Sequence, residues 1–78
     1  MNSVNLIIDT SGTCCPMPLV KTNKAIKTLK SGEILELIST DPAAPNDIKS
    51  WCERTGNTLV TSISNDAGNT FNFLIQKN

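Results

Sequence analysis

The chain contains no histidine. That removes the commonest general base and metal ligand, and with it serine–histidine and cysteine–histidine catalysis within this chain. It has no charge excess either: seven Lys and Arg balance seven Asp and Glu. A general nucleic-acid binder usually carries a basic surplus, so direct nucleic-acid binding is not expected, nor is attraction to an anionic membrane. No apolar run approaches the ~20 residues of a membrane span. The N-terminus lacks the charged-then-apolar layout of a signal peptide. Three cysteines, an odd number with two adjacent, offer no disulfide framework. Free thiols fit a reducing compartment, so the expected location is the cytoplasm. At 78 residues the chain has room for one domain, residues 1–78, with a core worth ~3–5 kcal/mol of net stability.

Thiols, carboxylates, amines and backbone dipoles are left to do any chemistry. They gather in Asp9-Thr10-Ser11-Gly12-Thr13-Cys14-Cys15-Pro16-Met17-Pro18, which holds two of the three cysteines and two of the four prolines. The flanking segments read as scaffold. Residues 3–9 alternate Val4, Leu6 and Ile8 with polar positions and read as a strand. Residues 16–30 read as a helix, with Leu19, Ile26 and Leu29 on one face and Val20 and Ala25 flanking it. Lys27 and Lys30 fall near its C-terminus, where a cation suits the dipole, and Gly32 is placed to form a left-handed cap. Residues 33–39 are nearly all apolar and read as a central strand covered on much of both faces. Strand–helix–strand at this spacing predicts parallel strands joined by a right-handed crossover.

A second helix is expected over 45–55, with Pro45 in its first turn and Asn46 or Asp47 capping it or favouring the positive end of its dipole. Ile48, Trp51, Cys52 and Thr55 follow helical spacing, and Gly56-Asn57 stops it. Strands over 58–64 and 70–77 flank a hairpin loop, Asn65-Asp66-Ala67-Gly68-Asn69. The order βαβαββ predicts an α/β (α+β) two-layer sandwich, a mixed four-stranded sheet with both helices on one face.

A cysteine just before a helix start sits in the positive potential of free N–H groups, which lowers a thiol pKa from about 8.5. Cys15 fits this position. If it caps the helix, Met17 is helical directly before Pro18, which is disfavoured; the other arrangement starts the helix at Pro18 and leaves Pro16-Met17 as a stiff pedestal. Either way the prolines fix the direction of the sulfur. A free cysteine is otherwise a small buried hydrophobe, the reading that suits Cys52 on a core-facing helical position. Cys14 is either structural or a resolving thiol for its neighbour. Adjacent cysteines chelate poorly, so no metal site is expected from Cys14, Cys15 and Cys52. The lysine series forms a solvated face or attracts an acidic partner or RNA. Asp41 reads as a turn residue, and Trp51 as core or an interface anchor.

Asp9, Gly12, Cys15, Pro16 and Pro18 match Asp-x-x-Gly-x-x-Cys-Pro-x-Pro. With Leu19-Val20-Lys21, Asp41-Pro42-Ala43, Asp47-Ile48 and Trp51-Cys52, the chain resembles the TusA (SirA-like) family of small sulfur carriers over nearly its whole length. The resemblance implies a sheet ordered 1-2-4-3 with strand four antiparallel. It implies that Cys15 accepts sulfane sulfur as a persulfide from a cysteine desulfurase or rhodanese-type donor. The sulfur then passes to an acceptor protein, in some members towards tRNA thiolation. Such a carrier is a relay rather than a self-sufficient enzyme, and it needs no cofactor. Asp9, Gly12, Pro16, Met17 and Pro18 would shape the loop, Lys21, Lys24 and Asp41 would serve docking, and the protein would act as a monomer. Two departures stand beside the carrier position: Thr13, where many members have Leu, and Cys14. Cys14 leaves open a thiol redox switch; a regulatory or RNA-associated module of the same fold, with Cys15 only shaping the loop, is the reading in which the lysine face does the work.

Overall fold

A computed structural model describes residues 4–12, 17–65 and 69–78, with the backbone alone at 17 and 18. The order is β1 Val4–Asp9, α1 Met17–Ile26, β2 Ile34–Ser39, α2 Ala44–Thr55, β3 Thr58–Asn65 and β4 Thr70–Gln76. The four strands form one sheet ordered β1-β2-β4-β3. β1 and β2 are parallel, and β4 runs antiparallel to both of its neighbours. The expected order and sheet arrangement are observed.

Alternation along each strand sends one set of side chains to the helices. Leu35 and Leu37 from β2 and Phe73 and Ile75 from β4 meet Ile26 from α1 and Ala44, Ile48, Trp51 and Cys52 from α2 in one buried cluster. Both helices therefore lie on the same face. Trp51 and Cys52 are core residues, as their spacing predicts. Phe71 and Phe73 extend the cluster along β4, with ring centroids 6.3 Å apart.

Several expectations change. β2 is covered by helices on one face only: Glu36 and Ile38, pointing the other way, are half-buried. α1 stops at Ile26 rather than running to residue 30. Thr28 N–H bonds Ala25 O at 3.0 Å and Leu29 N–H bonds Ile26 O at 3.2 Å, the i→i−3 pattern of a tightened turn. The Thr28 hydroxyl also donates to Ala25 O at 2.7 Å, so a side chain competes for a helical acceptor. Lys27 and Lys30 consequently lie beyond the helix, and Lys24 is the cation in its last turn. Gly32 has positive φ (+90°), but it serves the turn into β2, where its N–H donates to Lys77 O at 2.8 Å.

α2 begins at Ala44, one residue before the expected start. Ala43 is its N-cap without a side-chain cap bond, and Asp47 lies in the first turn. Gly56 (φ +78°) closes it in the left-handed conformation, its N–H bonded to Cys52 O. Thr55 is exposed, not core-facing; its hydroxyl donates to Trp51 O at 2.8 Å. Thr22, which the periodicity leaves unassigned, is fully buried. At the β3–β4 hairpin, Asn69 N–H reaches Asn65 O at 3.1 Å; Asp66, Ala67 and Gly68 lie outside the described residues.

Candidate functional site

Because β1 and β2 are parallel, their carboxyl ends lie at the same edge of the sheet, with residues 10–12 beside Ile38 and Thr40. In open α/β sheets this edge is where ligands and chemistry concentrate. The β1 end is fastened to the β2 end by Thr10. Its N–H and its hydroxyl both donate to Ile38 O, at 2.8 and 2.6 Å, using both lone pairs of one carbonyl while Thr10 is buried. Two residues on, Gly12 N–H donates to Thr40 Oγ1 at 2.9 Å. Gly12 has φ +81°, and a Cβ at this position would meet nothing within 4 Å. Glycine is thus required by backbone conformation and not by crowding, since an L-residue there costs ~1–2 kcal/mol.

Asp9 sits at the end of β1, exposed, with Oδ1 accepting Ser11 N–H at 2.9 Å. Hydrogen bonds from the Ser11 side chain and backbone hold its carboxyl below the ordinary carboxylate range, with a smaller contribution from the charge of Lys21. A carboxylate with a depressed folded-state pKa stabilises the fold above its unfolded pKa, and that stabilisation is lost as pH falls through the folded value. The thermal advantage of the wild type over Asp9→Asn should therefore be present at neutral pH and shrink below pH ~4. Melting curves of the two proteins across the acid range check this.

On the β2 side, Asp41 Oδ1 accepts Ala43 N–H at 3.0 Å, and Asp41 N–H donates to Ser39 Oγ at 3.2 Å. This is the turn role read from the sequence. α1 opens at Met17, with Pro18 second, so the helix does not wait for Pro18. Pro18 lacks an N–H where the first-turn N–H groups have no intrahelical acceptor anyway. No acidic residue occupies the first turn of α1, so no carboxylate there offsets the positive end of its dipole. Lys21 is half-buried and Lys24 exposed on the same helix. The structure thus brings together Asp9, Gly12, Lys21 and the Thr40–Asp41 turn, with Lys24 one turn further along α1. Cys14, Cys15 and Pro16 lie outside the described residues, as does Thr13.

Thr10, Ser39 and Thr40 hold this edge, and no sequence motif marks them. Their signal is a hydroxyl residue where each parallel strand ends, and it is too common to stand out alone. Thr40→Val removes the acceptor of the Gly12 N–H. It should lower stability by about 0.5–1 kcal/mol and alter the loop it tethers, whereas Thr40→Ser should behave as wild type. Denaturant titration together with amide exchange at Gly12 tests the pair.

A family model described as Sulfurtransferase TusA matches residues 6–77. The chain is 42% identical over 71 residues to "Putative sulfur carrier protein YrkI" of Bacillus subtilis, covering 91% of this chain and 92% of that protein. It is 37% identical over 70 residues to "Sulfur carrier protein TusA" of Allochromatium vinosum, covering 90% of each. Its fold superimposes on the crystal structure of a SirA-like protein from Desulfitobacterium hafniense with a TM-score of 0.78. That match has 19% identity and covers 91% of this chain and 95% of the other.

Proposed function

The chain belongs to the TusA family, and from that premise we propose that it is a sulfur carrier with Cys15 as the persulfide site. The Cys15 thiolate attacks the outer sulfur of a donor persulfide. The donor S–S bond breaks, the donor leaves as thiolate, and Cys15 holds the persulfide. An acceptor thiolate then attacks that outer sulfur, and Cys15 departs as thiolate. The sulfane sulfur keeps its oxidation state throughout, so no oxidant or reductant enters. No histidine is needed, because each step consumes one thiolate and releases another.

The observation that carries the reading is the loop's setting. Residues 13–16 join Gly12, tied to Thr40, to a helix whose first turn holds no carboxylate. Such a setting favours a thiolate between the two. Gly12, Pro16, Met17 and Pro18 shape the loop, and Asp9 closes its first turn. Lys21, Lys24 and Asp41, with exposed Val20 (40%), offer a donor or acceptor protein a docking rim. A monomer in the cytoplasm, where thiols stay reduced, suits this role, with tRNA thiolation one destination of the sulfur. Among the described residues no helix is long and apolar enough to cross a membrane, and no cluster of ligating side chains could hold a metal.

Incubation with a cysteine desulfurase and cysteine should add the mass of one sulfur atom to the intact protein, reversed by a thiol reductant. No adduct from desulfurase or rhodanese-type donors would overturn the proposal. RNA binding that survives loss of Cys15 would favour the binding module instead. An oxidised Cys14–Cys15 peptide, formed in preference to the persulfide, would favour the redox switch.

A further inference from the structure

The helices leave the opposite face of the sheet open, and two rows cross it from edge to edge. One runs Ile7–Glu36–Leu74–Thr61, the other Asp9–Ile38–Asn72–Ile63. Apolar and polar side chains alternate along both rows and between them, so four aliphatics form a checkerboard with polar groups. Ile7 is 60% and Ile63 46% exposed, the two most exposed large hydrophobics among the described residues. The polar squares are organised: Asn65 Nδ2 donates to Asn72 Oδ1 at 3.0 Å, and Asn72 Nδ2 donates to Glu36 Oε2 at 3.1 Å. A mixed face of this kind resembles a non-obligate interface more than a core cut open.

The charges on the rows themselves have one sign, although Lys21 reaches Asp9 from α1. Asp9 and Glu36 stand on the rows, and Glu33 borders them through Asn5 Nδ2 at 3.3 Å; no base occupies either row. Lys21, Lys24, Lys27, Lys30, Lys49 and Arg54, six of the seven bases, come from α1, the turn after it and α2. A second copy stacked face to face would set Asp9 and Glu36 against their own kind, because a two-fold interface pairs each patch with itself. Phosphates of RNA or of a lipid surface would meet the same carboxylates.

We infer that the open sheet face is a second docking surface, for a protein partner that presents aliphatic side chains flanked by lysine or arginine. Complementary charge would steer and orient that partner while the aliphatics supply the contact.

The test is a titration of methyl-labelled full-length protein with a short synthetic peptide alternating leucine and lysine, and with its glutamate-for-lysine counterpart. The lysine peptide should shift the methyl resonances of Ile7, Ile38, Ile63 and Leu74, and the glutamate peptide should not. Ile63→Lys should weaken binding about tenfold and Glu36→Gln about threefold, with thermal midpoints and sulfur loading unchanged. The inference is overturned if the lysine peptide shifts only helix resonances or none. It is equally overturned if the same methyls shift with the protein's own concentration, marking a second copy as the occupant, or with a single-stranded RNA.

Discussion

Phe73→Ala is expected to leave much of the chain unfolded near physiological temperature. Phe73 is fully buried at the centre of the sheet, on β4 between β2 and β3. Its ring belongs to the cluster that includes Leu35, Leu37, Ile48 and Trp51. Truncating a buried phenylalanine costs ~3–5 kcal/mol, the lost transfer energy plus the cavity left behind. A domain this small holds only ~3–5 kcal/mol of net stability, so the loss is comparable to all of it. The thermal midpoint should fall by ~15–30 °C, read by calorimetry or circular dichroism. A fall of only a few degrees would mean that the two layers do not depend on one shared core.

Cys15→Ala should have the largest effect on activity and almost none on stability. Sulfur loading from a desulfurase should fall below about one hundredth of the wild-type rate, because the attacking nucleophile is gone. The buried thiol of α2 cannot replace it. Cys52 lies in the core, and burial pushes its thiol up to about 11, which leaves roughly one thiolate in ten thousand at pH 7. Cys14→Ser should load at a rate close to wild type, since the adjacent thiol is not the acceptor. Timed intact-mass measurements on the three proteins, with melting curves alongside, check both halves. Loading that persists in Cys15→Ala and fails in Cys14→Ser would reverse the assignment of the two thiols.

Much of the architecture is legible because local pattern and global fold agree. Phe71, Phe73 and Ile75 alternate as a half-covered strand must, and the helical spacing of Ile48, Trp51 and Cys52 puts them in the core where they are found. Gly56 ends α2 where its left-handed φ is needed. The failures share a cause: side-chain hydrogen bonds that hydrophobic periodicity does not register, one between strands and others within a single turn. The near-continuous apolar run of β2 suggests two covered faces, but Glu36 is instead matched by Asn72 from β4, 36 residues away. The end of α1 is decided by the Thr28 hydroxyl and by Glu33 Oε1, which accepts Lys30 N–H at 2.7 Å. Periodicity continues through Leu29 and cannot register either.

The candidate site divides in the same way. Asp9, Gly12 and the two prolines stand out as a motif, and the positive φ of Gly12 gives one of them a physical reason. Thr10 and Thr40 do not stand out. Their importance lies in bonds of Thr10 to Ile38 and of Gly12 to Thr40, each spanning 28 positions, which exist only once β1 and β2 are paired. The open face is likewise invisible before folding, because Ile7, Glu36, Leu74 and Thr61 come from four different strands.

The most direct test is to locate the added sulfur. After loading with a desulfurase and trapping of persulfides with an alkylating agent, peptide-level mass spectrometry with fragmentation assigns the extra sulfur to one residue. It should fall on Cys15, with Cys14 and Cys52 alkylated only as ordinary thiols. Sulfur found on Cys14 or Cys52, or on no cysteine, would contradict the assignment of this chain as a carrier working through Cys15.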